Sequence, residues 1–592
     1  MSLTRDFSRL AEQEFDIVVI GGGVTGVAIA REAAVRGFSV CCLEKNDFGC
    51  ATSAATSKLL HGGLRYLANF EFGIVRESLR ERRILGCAAP HLVRPLKFLV
   101  PIYAGEKPTR LEMKIALVLY DLLAFDRNRG VAEDKRLPGH SWLSRSQVLR
   151  LEPGVNSRGV SGGELKGAYV YYDYQSVFPE RLLLDWALTG AQAGAHFLNH
   201  CEVIDLKDDG GAENSVATTG EKTKTITAAR VRDTLTGAES DVRGRLFINA
   251  SGPYMDYVLR LANFESPPIK RSTGVHLITD PLFAPEKDHT VFVKGRRNDQ
   301  FLILPWQGRS LIGPTDEPFD GHPDEVTPRA SEVDALVADL EAALPPGVFH
   351  RDMIRHVITG IRPLVSFETD ASASQSGAQS GKRPQSATRA ISRKSEIYDH
   401  APALKGVLSV GGGKWTTSRA LGVHVVDAAA RKLRVNRPTV SVATRKPRAN
   451  TTNAAFASAP GFGESAEEYA AFAVREYQTP GVPESVHRHL ITMYGTRHAG
   501  VLELVRATPR LAERISMRPN CLDIFAQLDF AVRMESALTL DDLLRRRLSL
   551  GMFGRPERAE VEAVANHAAP LLDWDAERTR AEIELIARFY RE

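Results

Sequence analysis

A glycine-rich turn near the start of the chain restricts its fold more than any other feature. Gly21-Gly22-Gly23-Val24-Thr25-Gly26 follows the apolar run Phe15–Ile20. It precedes an alanine-rich stretch, Val24 to Arg36, that stops at Gly37. A second apolar run, Ser39–Leu43, ends at Glu44. Strand, turn, helix and strand at this spacing predict a parallel βαβ unit with a right-handed crossover. In such a unit Gly21 permits the tight turn and Gly23 lets backbone approach a pyrophosphate, with Gly22 between them in the same cofactor-binding set. Gly26 lets the helix pack close to the strand. The helix N-terminus supplies free N–H groups and a positive dipole end for phosphates. Glu44, eighteen residues past Gly26, is placed to accept hydrogen bonds from an adenosine ribose, and an acid there argues against NADP. The pattern specifies an ADP moiety, which NAD and FAD both carry.

The following residues separate the two. Cys50 to Lys58 is small and hydroxyl-rich, with Thr52, Ser53, Ser57 and Lys58 suited to line a diphosphate and ribityl chain. An NAD enzyme would normally continue into another crossover helix. Leu246–Tyr254 reads as another buried strand ending in small residues, among them Ala250 and Gly252, beneath the same cofactor. Gly411-Gly412-Gly413-Lys414-Trp415-Thr416-Thr417 opens a further helix. Gly413, Lys414, Thr416 and Thr417 are thus candidates for a second set of anion contacts. FAD is the expected cofactor.

At 592 residues, the chain has room for about three to five domain-sized units. A net charge of +4 is too weak over this length to suggest nucleic-acid binding. Six cysteines, with no CxxC pair and no metal-ligand spacing, predict neither a disulfide framework nor a metal site. They favour a reducing, cytoplasmic setting. The charged N-terminus does not read as a signal peptide. Apolar runs fall short of the ~20 residues needed to span a bilayer.

The predicted organisation is an FAD-dependent core over 1–445 and a C-terminal helical domain over 446–592. FAD-binding parts are expected at about 15–105, 165–255 and 360–430, and substrate- or membrane-facing parts at 106–164 and 256–359. Helices are expected at 71–86, 107–126 and 179–193, a hairpin turn at 206–211, and a Ser/Gln/Gly-rich surface loop at 371–387. In the tail, helices are expected at 464–477, 522–535, 540–550 and 555–572.

GGGVTGVAIAREAAVRG, CATSAATSKLLHGGLRYL, INASGP, LPWQGRSLIGPTDE, GIRPL and GGKWTTSRA together resemble the FAD-dependent glycerol-3-phosphate dehydrogenase family. Order and spacing hold over about residues 15–430, with a weaker likeness around 525–552. The chain departs from the family at Glu32, usually Asp, and at Ser418, usually Tyr. The resemblance implies an α/β fold: a Rossmann-type FAD-binding domain, an antiparallel-sheet substrate domain as in D-amino-acid oxidases, and a helical C-terminal domain. It implies oxidation of sn-glycerol 3-phosphate to dihydroxyacetone phosphate, with electrons passed from reduced FAD to a membrane quinone. An oxidase that returns electrons to oxygen and an inactive FAD-fold binding protein are the alternatives. A homodimer is left open.

A secondary alcohol loses its hydroxyl proton and a hydride, while a phosphate dianion asks for cations, preferably arginine forks. Family likeness places Arg65, Tyr66 and Arg362 on the substrate, with Arg393 less firmly aligned and Lys414 nearby. Arg362 also counts among the catalytic candidates. His61 and His276 both suit the general base. Gly62, beside His61, belongs to the cofactor set. Lys58 and Lys414 are expected to hold flavin or phosphate.

Arg110–Arg129 places Leu111, Ile115, Val118, Leu119 and Leu122 on one helical face between basic residues. This suits a helix lying in an anionic membrane surface. It predicts peripheral attachment to the inner face of the cytoplasmic membrane. Arg545-Arg546-Arg547 reads as a solvated helix face or as further attraction to lipid.

Overall fold

The computed structural model describes residues 2–209, 223–266, 269–283, 288–296, 300–364, 395–434 and 454–590. The boundary expected at 445/446, the 371–387 segment, the 210–211 end of the expected hairpin turn and Arg393 lie outside the described residues.

The glycine turn seeds a six-stranded sheet in the order Glu396–Asp399, Val407–Gly411, Phe247–Asn249, Ile17–Ile20, Val40–Leu43, His196–Leu198. Every pairing is parallel except that of Glu396–Asp399. Ile17–Ile20 and Val40–Leu43 are buried at every position, as a parallel sheet covered on both faces requires. The Val24–Val35 helix crosses between them, packed against the helices Pro179–Gln192 and Ser418–Lys432.

A ten-stranded sheet, mostly antiparallel, forms the second layer. Its strands include Val93–Tyr103, Leu165–Ser176, Lys270–Thr279, His289–Lys294, Gln300–Trp306, Arg309–Gly313 and Ile354–Leu364. Val93–Tyr103 and Leu165–Ser176, from two of the stretches expected to bind FAD, pair with each other over eleven registered positions. Long-range pairing decides their place, and the sequence of either strand alone does not reveal it. A five-stranded sheet joins Cys201–Asp208 and Lys224–Asp233 as antiparallel neighbours; Leu206, Lys207 and Asp208, expected in the turn, are the last residues of the first strand.

Phe72–Ala88, Arg110–Leu123 and Pro179–Gln192 are helices, close to the expected bounds. A short helix, Met255–Leu261, follows the strand Phe247–Asn249. The tail is helical, with Ala466–Glu476, Ala526–Glu535 and Arg558–Ala568 where they were expected. The expected helix 540–550 is different. It forms one α turn, Leu540–Asp542, followed by a π turn, Leu543–Arg547. Its continuation is stopped by Asp523, whose carboxylate accepts the amides of Ser549 and Leu550 at 2.8 and 2.9 Å.

The tail is firmly docked on the core. Arg181 makes a bidentate pair with Glu535 at 2.6 and 2.8 Å, and Arg497 reaches the same carboxylate at 2.6 Å. Phe553 packs edge-on against Trp306, with centroids 5.2 Å apart.

Candidate active site

The glycine turn has the geometry that a pyrophosphate cradle needs. Gly21 has φ +107°, and a Cβ there would lie 2.8 Å from the Ala250 carbonyl. A Cβ on Gly26 would sit 1.8 Å from the Gly21 carbonyl oxygen, so only glycine lets this helix approach the strand. Gly23 is different: a Cβ there meets nothing nearer than Ser53 Oγ at 3.3 Å. Gly252 has open space within 4 Å. Room is left where a cofactor backbone would run, and the tight contacts fall on the protein side.

Glu44 closes the turn from below. Its Oε2 accepts the Gly22 amide at 2.7 Å and its Oε1 accepts that of Asn46 at 3.0 Å. Burial raises its carboxyl above the ordinary value. Ser53 Oγ accepts the Val24 amide at 2.9 Å, so the hydroxyl-rich loop is fastened to the first turn of the phosphate helix. The indole of Trp415 donates to the Ser53 carbonyl at 3.2 Å, and Thr416 Oγ1 accepts the His61 amide at 3.2 Å. Thr416 and Thr417 are buried, and Thr417 Oγ1 turns back to the Lys414 carbonyl at 3.5 Å. The donor set, the open glycines and the placement of Glu44 fit FAD.

The same loop reaches the ten-stranded sheet. Thr52 Oγ1 donates to the Ile361 carbonyl at 2.7 Å, and Ser57 Oγ lies 2.8 Å from His276 Nε2. His276 is on Lys270–Thr279, antiparallel to Ile354–Leu364, which carries Arg362. The imidazole is 2% exposed, and its Nδ1 is buried with no hydrogen-bond partner among the described residues. Burial first, then the positive charges of Arg362 and Lys58, pull its pKa down to about 3. His276 is therefore a neutral imidazole with one ring nitrogen uncommitted.

Arg362 is not an open fork. It donates to the carbonyls of Thr273 and Thr315, both at 2.9 Å, and pairs with Asp316 at 3.2 Å. A Cβ on Gly274 would collide with its guanidinium at 2.0 Å, so glycine there makes room for the arginine. Lys58 corrects the sequence reading. Its ammonium pairs with buried Glu180, donates to the Ala54 carbonyl at 3.2 Å and lies 5.1 Å from the Trp306 ring centroid. It is 2% exposed and fixes the loop from inside.

Lys414 lies over the Tyr66 ring, 3.6 Å from its centroid, and donates to Ser78 Oγ at 3.2 Å. Arg65, on the same short turn as Tyr66, is exposed. Gly62 is held by its amide on Tyr120 Oη at 2.9 Å, and Tyr120 donates in turn to Asp173, which pairs with Arg82. This buried support was missed in the sequence, because Asp173 lies in a strand with no motif around it.

Residues 16–428 match the model of the FAD dependent oxidoreductase family, and 457–579 match that of the C-terminal domain of alpha-glycerophosphate oxidase. Glycerol-3-phosphate dehydrogenase of Synechocystis is 34% identical, the alignment covering 93% of this chain and 91% of that one. The Mycobacterium leprae enzyme of the same name is 30% identical over 98% of this chain and 88% of its own. This chain belongs to the FAD-dependent glycerol-3-phosphate dehydrogenase family. The fold agrees with that of glycerol-3-phosphate dehydrogenase from Bacillus halodurans complexed with FAD. Its TM-score is 0.74 at 23% identity, covering 98% of this chain and 96% of that one. As a family member the chain is an FAD-dependent oxidoreductase.

Two further expectations change. Leu119 is half-buried against the core, while Leu111 (67%), Ile115 (53%), Val118 (39%), Leu122 (65%) and Phe125 (77%) are exposed. The outward row steps by four and three residues, and Leu119, one residue past Val118, is turned about 100° toward the protein. The basic bracket is partly spent: Arg110 stacks on Trp142 at 4.2 Å, and Arg127 pairs with Asp121. In the tail, Arg546 and Arg547 are buried and ion-paired, and Arg545 lies 3.6 Å from the Phe589 centroid. The triplet is not a solvated face.

Proposed function

We propose that this chain oxidises sn-glycerol 3-phosphate to dihydroxyacetone phosphate and delivers the electrons to a membrane quinone. The observation that carries the reading is the buried His276, tied to the cofactor-side loop through Ser57 with its Nδ1 uncommitted. The flavin, when bound, supplies the hydride acceptor. The protein binds, orients and takes the proton. A neutral imidazole accepts the hydroxyl proton of the substrate; His276 and His61 remain the two candidates for this base. Arg65, Tyr66, Arg362 and Lys414 are the groups assigned to the phosphate. Arg393 stays in the proposal on family likeness alone.

Among the described residues no helix is long and apolar enough to cross a membrane. The exposed row from Leu111 to Phe125, joined by exposed Phe70 and Phe72, supports seating on a lipid surface. Attachment would rest more on the apolar row than on charge. A second reading sends the electrons to oxygen, favoured by the match of residues 457–579 to a domain described from alpha-glycerophosphate oxidase.

Anaerobic mixing tests the core of the proposal. Glycerol 3-phosphate should bleach the bound flavin and glycerol should not. Bleaching by neither, or equally by both, would remove the substrate assignment. Reoxidation by quinone against peroxide yield in air then separates the two acceptors.

A further inference from the structure

The segment from Glu44 to Cys50 forms one wall of the nucleotide turn. Besides the Glu44 contacts, the Gly49 amide donates to the Gly22 carbonyl at 3.1 Å. A Cβ on Gly22 would come within 2.7 Å of both the Glu44 and the Phe48 side chains. The wall and the turn are in van der Waals contact. A shift of the wall therefore moves Glu44, whose carboxylate holds the Gly22 amide of the glycine turn.

At the middle of this wall stands Asp47, with no exposed surface. Its Oδ2 accepts from Arg546 Nε and Arg547 Nη1, both at 2.6 Å. Its Oδ1 accepts from Arg547 Nη2 and Asn199 Nδ2, both at 3.0 Å. Asn199 also donates to the Ser536 carbonyl at 2.8 Å. Arg546 is held in turn by Asp541 at 2.6 Å and Asp542 at 2.9 Å. Arg547 donates to the Glu535 carbonyl at 2.8 Å. His200, whose Nε2 meets Asp542 at 2.8 Å, gives its amide to Asn46 at 2.8 Å.

Two successive residues reach one carboxylate because the chain widens into a π turn over Leu543–Arg547. Such turns recur where side chains are re-aimed for function. Burial alone would raise the Asp47 carboxyl; Arg547 and Arg546 outweigh it and hold it well below the usual carboxylate range. A buried carboxylate that loses its cations becomes an uncompensated charge, so the wall keeps its place only while the tail is docked.

We propose that Asp47 couples the C-terminal helical region to the FAD site, with Arg546 and Arg547 acting as positioning residues for cofactor retention. Neither arginine touches the flavin site; both act through the wall that carries Glu44. Coupling of this kind is reciprocal. Loss of the arginine contacts weakens FAD binding, and loss of FAD loosens the Leu540–Leu550 segment.

The test compares Arg547→Met with Arg547→Lys. FAD Kd is followed by the flavin fluorescence that returns on release, and Tm is measured with and without FAD. Arg547→Met should raise the Kd by about ten-fold or more, with Arg547→Lys recovering part of the loss. The gain in Tm that FAD gives should shrink in step. A Kd within two-fold of the unmodified protein, with both Tm values lowered equally, would make the contact a mere dock and overturn the proposal. Should neither variant fold, the unmodified protein decides. Removing FAD should speed amide exchange in 540–550 more than in Arg558–Ala568. Equal protection of 540–550 with and without FAD would overturn the coupling.

Discussion

Ser57 Oγ and His276 Nε2 are 2.8 Å apart, and this contact joins the two layers of the molecule. Ser57 belongs to the loop that follows the nucleotide unit, while His276 belongs to the ten-stranded sheet. Burial, Arg362 and Lys58 disfavour the imidazolium and bring the pKa to about 3. The base form of His276 is thus present throughout pH 5–9. If His276 takes the proton, flavin reduction should show no acid limb near pH 6.5, the ordinary histidine value. His276→Asn should cost ~10²–10⁴-fold, and Ser57→Ala about ten-fold through one lost hydrogen bond. An acid limb near neutrality that disappears in His61→Asn would assign the base to His61.

Gly23→Val should give a folded protein with little flavin. The backbone tolerates the change, since φ is −70° and an added Cβ has one close neighbour, Ser53 Oγ at 3.3 Å. The branches then occupy the space left for the pyrophosphate. Absorbance of the purified variant at normal flavin stoichiometry would refute this use of the turn.

Arg362→Lys keeps the charge and loses the planar fork that spans Thr273, Thr315 and Asp316. A hydrogen bond to a charged group is worth about 1.5–3 kcal/mol, so kcat/KM for glycerol 3-phosphate should drop by roughly ten-fold or more. An unchanged kcat/KM would mean that the fork serves neither the substrate nor the geometry around His276.

Val118→Glu with Leu122→Glu places two charges on the outward row of the Arg110–Leu123 helix. Each apolar side chain of this kind contributes about 1.5–3 kcal/mol when buried. Pelleting with anionic vesicles and reduction of long-chain quinone should both fall, while turnover with a soluble dye survives. Because the basic bracket is partly ion-paired, added salt should release the unmodified protein only in part. Complete release by salt would show that charge, and not the apolar row, holds it.

The nucleotide unit was legible because its constraints are local. Gly21, Gly26 and Glu44 sit at fixed offsets along one short stretch, and each answers a steric or hydrogen-bonding demand visible in the residues themselves. Relations across the sheets were not legible. The pairing of Val93–Tyr103 with Leu165–Ser176, and the meeting of Ser57 with His276, depend on residues far apart in the chain. Charge misled in the same way. Lys58 and Arg546-Arg547 read as groups for ligand or solvent, yet each is neutralised by a distant acid, Glu180 or Asp47. Leu119 was misplaced by a single residue step around its helix.

The Arg110–Leu123 helix shows two faces at once. Outward it carries Leu111, Ile115, Val118 and Leu122; inward it carries Tyr120, whose phenol accepts the Gly62 amide. One rigid rod therefore joins the outer surface to the His61-Gly62-Gly63 turn. Whatever grips the outer row bears on the Tyr120 contact with Gly62 and on the neighbouring Leu64–Asn69 turn, with no loop between them.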